Sequence, residues 1–111
     1  MNQKVVIIGA EPAGLLLAHY LLRRGQYRVE IYERRSDFRL ADRSQGRTFP
    51  ISLQERGRSA IREIAGLEEA VVAAGVFCNG TKIYRQRGKA RKIPRAIPIQ
   101  SIDRNRLVVI L

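Results

Sequence analysis

The segment GAEPAG, residues 9–14, has residue types and a spacing that could hold the phosphate groups of a nucleotide. Gly9 allows a sharp turn, and Gly14 allows a helix to pack closely on a strand. The N-terminus of a helix that starts here would offer backbone N–H donors and positive potential to an anion. Residues 9–14 are therefore a predicted phosphate-binding loop.

An acidic residue follows this loop at the distance expected for ribose recognition. Glu33 lies 19 residues after Gly14, where the acid of a dinucleotide-binding unit accepts hydrogen bonds from an adenosine ribose. The loop alone is weak evidence, but the combination of loop and acid predicts a dinucleotide ligand.

Glu11 departs from the usual loop pattern, in which a second glycine lets the backbone approach a pyrophosphate. A carboxylate about 4 Å from a diphosphate oxygen disfavours binding by roughly 1–4 kcal/mol, depending on how well water screens the charges. We therefore expect the loop to keep its fold and a diphosphate ligand to bind weakly or partially. The change Glu11→Gly is expected to tighten binding at least about fivefold.

A predicted β-α-β unit positions these residues. The β-branched run at residues 4–8 predicts a strand covered on both faces. A helix is predicted over Pro12–Arg24, with Gly25 as its C-cap, and a second short strand over residues 28–32. Because this crossover is too long for a hairpin, the two strands are predicted to be parallel.

The middle of the chain predicts a polar loop followed by two helices. Residues 33–49 are polar and arginine-rich and predict the loop. Ser52 and Glu55 have the spacing of a capping box and predict the start of a helix. A short third helix is predicted over Leu67–Ala74.

The last third of the chain predicts a β-hairpin and a closing helix. Residues 81–86 and 95–102 are predicted to be antiparallel strands that flank a charged turn around Gly88. Asp103 is predicted to cap a helix over residues 104–111. The predicted fold class is therefore α/β, with a βαβ unit, a helical segment and a hairpin.

Size and composition exclude several classes of protein. A chain of 111 residues suffices for one small domain. The single cysteine, Cys78, excludes an internal disulfide and a cysteine-based zinc cluster, and we interpret it as a structural thiol. His19 is interpreted as a packed core residue. The first apolar run fits neither a signal peptide nor a membrane span, so we expect a cytoplasmic protein with no membrane partner.

The positive charge of the chain is concentrated in one run. The net charge is +11, and the run YRQRGKARKIPR at residues 84–95 holds six basic and no acidic residues. Such a run favours a phosphate backbone or an acidic partner, so nucleic-acid binding through residues 84–95 is the alternative function. Tyr84 is the only aromatic residue among these charges, so nucleic-acid binding is less favoured than a solvated hairpin. Nucleic-acid binding predicts an affinity for DNA that falls sharply between about 50 and 200 mM salt.

Three segments resemble a family of flavoenzymes. VVIIGAEPAGLLLAHYLLRRGQYRVEIYERR is similar to the opening of the FAD-dependent aromatic hydroxylases, the class A flavoprotein monooxygenases, whose loop usually reads GAGPAG. GRTFPISLQERGRSAI and SIDRNRL narrow the resemblance to the kynurenine-hydroxylating branch of that family. The resemblance spans nearly the whole chain and implies a Rossmann-like FAD-binding fold.

The resemblance also implies cofactors and site residues. FAD is the implied cofactor, NADPH is the reductant of full-length members, and one oxygen atom is transferred to an aromatic ring. Arg34 would lie toward the adenine, while Arg47 and Arg104 would approach the flavin nucleotide. No catalytic or metal-binding residue is predicted in the chain. The candidate cofactor-binding positions are Gly9, Ala10, Glu11, Pro12, Ala13, Gly14, Glu33, Arg34, Arg47 and Arg104.

The family fold is expected to be incomplete in this sequence. Full-length members are several times longer and carry two further FAD-binding segments and a sheet domain that covers the substrate. We therefore expect residues 1–111 to form a partial FAD-binding domain, without the substrate domain and not catalytically competent alone. An exposed sheet edge and self-association through that edge are also predicted.

Overall fold

The computed structural model describes residues 3–37, 39–40 and 48–111. The parallel strands β1 and β2 form one sheet, and the other three strands form an antiparallel sheet in the order β3-β5-β4. The α/β class is therefore confirmed. The elements are β1 (Gln3–Ile8), α1 (Pro12–Arg24), β2 (Tyr27–Tyr32), β3 (Pro50–Leu53), α2 (Glu55–Arg62), α3 (Leu67–Ala74), β4 (Val76–Ile83), β5 (Arg91–Asp103) and α4 (Arg104–Ile110).

The βαβ unit forms as the sequence predicts. β1 and β2 pair in parallel, from Gln3 opposite Tyr27 to Ile8 opposite Tyr32. Gly25 ends α1 in the left-handed conformation (φ 70°), which suits glycine because it has no Cβ. The predicted strand, helix and second strand are confirmed with bounds within one residue.

The prediction that the first strand is covered on both faces is wrong for the described part of the chain. Ile7 is buried, whereas 47% of Val6 and 80% of Ile8 are exposed. α1 packs against β1 and β2, and alternation along a strand places Val6 and Ile8 opposite the face that Ile7 occupies. Self-association through this sheet stays a prediction.

The predicted capping box is also wrong. Ser52 lies in β3, where it is paired with Ser101 of β5. α2 begins only at Glu55, its N-cap is Gln54, and that side chain makes no capping hydrogen bond. Since the backbone of Ser52 is committed to a strand, its hydroxyl does not cap the helix. The Glu55 carboxylate instead forms an ion pair with Arg62 at 3.1 Å.

The predicted hairpin is confirmed, but its strands are longer than expected. β4 starts at Val76 and β5 at Arg91, and Gly88 lies in the intervening turn with φ 106°. Lys82 pairs directly with Lys92, so like charges face each other across the ribbon. Residues 79–89 are all exposed. Nucleic-acid binding by this ribbon stays a prediction.

A small hydrophobic core joins the second half of the chain. Ile61, Val71, Ile102 and Leu107 form this cluster and bring together α2, α3, β5 and α4. Asp103 accepts a hydrogen bond from the backbone N–H of Arg106 at 3.0 Å, which confirms the predicted cap of α4. The core therefore holds the first turn of α4 in a fixed position.

Two hydrogen bonds connect this core to α1. The Tyr20 hydroxyl donates to the carbonyl of Ala60 at 2.6 Å. His19 is half-buried, and its Nε2 donates to the carbonyl of Leu111 at 2.7 Å. α1 is therefore shared by the parallel sheet and by the core. An ion pair between Arg104 and Glu11 places the N-terminus of α4 beside the predicted phosphate-binding loop.

Candidate dinucleotide-binding site

Both glycines of the loop have the geometric roles that the sequence predicts. Gly9 adopts φ 100°, a conformation that residues with a Cβ rarely adopt. Its N–H donates to the carbonyl of Tyr32 at 2.8 Å, which fixes the turn at the end of β1. A Cβ on Gly14 would lie 2.7 Å from the Gly9 carbonyl oxygen and 3.1 Å from Ile7 Cγ2. The helix can therefore approach the strand this closely only with glycine at position 14.

The N-terminus of α1 opens directly from this turn. Pro12 is the first helical residue, and Glu11 is the N-cap with an extended backbone. The first intrahelical hydrogen bond runs from the Leu15 N–H to the Glu11 carbonyl at 2.9 Å. The N–H groups of Ala13 and Gly14 precede this bond, so the helix itself supplies no acceptor for them. They are the donors that an anion could use.

Glu33 lies immediately after β2 and faces the loop. Its Oε2 accepts a hydrogen bond from the Ala10 N–H at 2.8 Å, and its Oε1 accepts from the Arg35 N–H at 2.8 Å and from Arg35 Nε at 3.1 Å. The Arg35 side chain, the Arg35 N–H and the Ala10 N–H together lower the pKa of Glu33 to about 2. Because the folded-state pKa is depressed, this contribution to stability is present above about pH 4.5 and is lost as the pH falls toward 2.

Glu11 is held by two arginines. Its Oε1 accepts a hydrogen bond from the Arg35 guanidinium, and its Oε2 accepts one from the Arg104 guanidinium. Its side chain is 44% exposed, whereas that of Arg104 is 16% exposed. The carboxylate at the unusual loop position is therefore neutralised by two cations that lie beside the loop.

The other predicted arginines have different positions. Arg104 opens α4, donates its N–H to the carbonyl of Phe49 at 3.1 Å and lies over the Phe49 ring at 5.6 Å. Arg34 is exposed and does not line the cavity described below. Arg47 lies outside the described residues. Of the two predicted arginines that the structure describes, Arg34 and Arg104, only Arg104 contacts the loop.

A cavity of about 450 Å³ adjoins Glu33, between the end of β2 and α4. Its volume falls in the range of small-molecule sites. The polar wall carries the acid and arginines that follow β2, and the apolar wall is the last turn of α4. The lining residues that matter here are Ala10, Ile31, Glu33, Arg35, Val108 and Val109.

Arg35 is the site residue that the sequence reasoning missed. It contacts both Glu11 and Glu33. Glu33 and Arg35 lie two positions apart directly after the predicted second strand, and this close spacing of an acid and a base is the signal that could have indicated the contact.

Comparison with known proteins agrees with this geometry. The family model described as an NAD(P)-binding Rossmann-like domain matches residues 7–53. This range contains the end of β1, the loop, α1, β2, Glu33 and β3. The chain has a Rossmann-like βαβ unit.

Curated relatives narrow the comparison. The chain is 43% identical over 88 residues to a kynurenine 3-monooxygenase of Stenotrophomonas maltophilia (strain K279a). The matched segment covers 79% of this chain and 19% of that protein. It is 44% identical over 83 residues to a kynurenine 3-monooxygenase of Xanthomonas axonopodis pv. citri (strain 306), and that match covers 75% of this chain and 18% of the relative. The chain is similar to kynurenine 3-monooxygenases. The resemblance to flavoprotein monooxygenases is confirmed, and the chain spans less than a fifth of these relatives.

The described ranges contain neither a membrane-spanning helix nor a cluster of metal ligands. None of the helices there has the length and apolar character needed to cross a membrane. No group of three histidine, cysteine, aspartate or glutamate side chains in the same ranges could hold a metal ion.

Proposed function

We propose that residues 1–111 are the FAD-binding portion of a cytoplasmic, NAD(P)H-dependent aromatic-ring monooxygenase related to kynurenine 3-monooxygenase. The observation that carries this proposal is the position of Glu33. Its carboxylate lies at the end of β2, contacts the loop through the Ala10 N–H at 2.8 Å and lines the 450 Å³ cavity. The resemblance of residues 5–35 to the FAD-dependent aromatic hydroxylases favours FAD over the NAD(P) named in the description of the matching family model.

The residues of the loop fit the adenosine diphosphate part of FAD. Gly9 and Gly14 bring the backbone and the start of α1 to where a diphosphate would lie. Glu33 is ionised and accepts four hydrogen bonds, one from the Ala10 N–H and three from the N–H and guanidinium of Arg35. A ribose hydroxyl would therefore replace an Arg35 side-chain contact, the longest of which is 3.3 Å. The chemistry that bound FAD supplies is electron transfer and oxygen activation, whereas the residues of this chain bind and orient the nucleotide.

We expect the chain to bind FAD and the variant Glu33→Gln to bind it about tenfold or more weakly, because an amide loses the charge that strengthens hydrogen bonds from a ribose. Quenching of FAD fluorescence during titration measures both affinities. A parallel titration with NADH distinguishes FAD from a nicotinamide dinucleotide.

The matched control is Glu30→Gln. Glu30 is also a carboxylate of the β2 segment, but it pairs with Lys4 at 2.8 Å and with Arg28 at 3.4 Å and does not line the cavity. FAD affinity should be unchanged in this variant. Absence of FAD binding by the unmodified chain at about 100 μM, far above the concentration that a working site needs, would show that the proposal is wrong.

We also propose that this chain is not catalytically competent by itself. The cavity borders the nucleotide part of the site, and its two carboxylates, Glu33 and Asp37, are each hydrogen-bonded to an arginine that lowers their pKa to about 2. Neither acid is therefore available as a proton donor at neutral pH. With added FAD, NADPH oxidation should not be stimulated by an aromatic substrate. Substrate-stimulated turnover in the ordinary range of about 1–1,000 per second would contradict this expectation.

A further inference from the structure

Glu11 and two arginines form an ion cluster at the entrance of the loop. The guanidinium of Arg35 reaches Glu11 from the segment after β2, and that of Arg104 reaches it from the start of α4. The two cations come from parts of the chain 69 positions apart and converge on the two oxygens of one carboxylate. Guanidinium groups arranged in this way bind carboxylates and phosphates alike.

The cluster lies where a phosphate would be bound. Glu11 is the N-cap of α1, so its side chain starts beside the N–H groups of the first helical turn. An anionic ligand at this helix end would use the same donors and the same two guanidinium groups. The carboxylate of Glu11 therefore competes with any phosphate for Arg35 and Arg104.

We propose that Glu11 is a specificity-determining residue that takes the place of a phosphate group on Arg35 and Arg104. The site then discriminates against ligands that carry a diphosphate and leaves the affinity for an uncharged adenosine unchanged. This inference rests on the proposed function for the identity of the nucleotide, but its central claim concerns only the anion and the two arginines.

The expected size of the effect follows from the exposure of Glu11. A partly exposed ion pair contributes about twofold to fivefold to an equilibrium, so replacing two of them accounts for a factor of roughly four to twenty-five. Removal of the carboxylate also removes its repulsion of the diphosphate, which acts in the same direction. Higher affinity for phosphate-containing ligands is therefore expected when Glu11 loses its charge.

The test compares three probes on the 111-residue chain and on its variant Glu11→Gln. FAD and inorganic pyrophosphate should bind about four to twenty-five times more tightly to the variant, while adenosine should bind equally to both proteins. Glu11→Gly, which removes the whole side chain, should tighten FAD and pyrophosphate at least as much. Isothermal titration at constant salt gives all of these affinities.

A double variant identifies the groups for which Glu11 competes. In the Arg104→Gln background, the gain in affinity from Glu11→Gln should become smaller, because only Arg35, which also pairs with Glu33, then remains for the phosphate. Glu30→Gln serves as the matched control, since Glu30 also pairs with two cations and lies away from the loop. It should leave all three affinities unchanged.

The probes separate failure of this inference from failure of the proposed function. If Glu11→Gln gains pyrophosphate affinity but neither protein binds FAD, the inference stands and the proposed function fails. If the unmodified chain binds FAD, and Glu11→Gln binds FAD and pyrophosphate no more tightly than the unmodified chain does, the inference is overturned. Glu11 would then hold the arginines in place for the ligand and would not compete with it.

Discussion

The variant Gly14→Ala is expected to lower the free energy of unfolding by about 1–3 kcal/mol and to abolish FAD binding at about 100 μM. The added Cβ would lie 2.7 Å from the Gly9 carbonyl oxygen, and this backbone atom cannot move without displacing the turn. α1 must therefore shift away from β1, which moves the helix N-terminus away from the ligand. Urea denaturation and FAD titration measure the two effects separately.

Gly57→Ala is the matched control for this prediction. Gly57 also lies in a helix, so both changes gain up to about 1 kcal/mol of helix propensity. Its Cβ would meet the end of the Leu53 side chain at 3.2 Å, and that side chain can rotate. Gly57→Ala should therefore be neutral or stabilising. A similar gain in the stability of Gly14→Ala would contradict the close packing of α1 on β1.

The variant Leu107→Ala is expected to lose about 2–5 kcal/mol of stability, the usual cost of emptying a buried leucine site. Leu107 is 1% exposed and belongs to the cluster with Ile61, Val71 and Ile102. A loss of this size is a large part of the stability of a small domain. A lower urea midpoint, measured by circular dichroism, is the expected observation.

Val109→Ala in the same helix is the control for Leu107→Ala. Val109 is 39% exposed, so its truncation should change stability by no more than about 0.5 kcal/mol. An equal urea midpoint for the two variants would show that α4 is not anchored by the cluster. Arg104 would then have no fixed position beside the loop.

The parts of the fold that depend on local sequence were predictable. β1, α1 and β2 follow from a β-branched run, an N-terminal proline and a terminal glycine, each of which acts on its own neighbours. Asp103 was also predictable as a cap, because its partner is the N–H of Arg106. In these cases the residues that determine the structure lie within a few positions of it.

β3 was not predictable, because its partner is distant in the chain. Ile51 pairs with Ile102, and nothing near residue 51 indicates that pairing. Ser52 and Glu55 favour a helix start by their spacing, and tertiary pairing overrides this local preference. The strand is only four residues long and begins at Pro50, so alternation gave little signal.

Only part of the site was predictable, because its other contacts join distant parts of the chain. The loop and Glu33 follow from a local pattern, whereas the contacts of Glu11 with Arg35 and Arg104 depend on how the chain folds back. From the sequence, Glu11 is expected to repel the ligand or to turn away from it. Its ion pairs with Arg104, a cation predicted to serve the ligand, and with Arg35 depend on the folded chain.

The exposed tip of the β4-β5 hairpin has a consequence for how this protein family can diverge. Residues 79–89 are all exposed, and Gly88 provides a turn that needs no tertiary support. Insertions and deletions are tolerated best at such loop tips. Evolution can therefore change the length and charge of this hairpin without disturbing the loop between β1 and α1. Alignment of relatives should show gaps concentrated at residues 84–90 and none within residues 9–14.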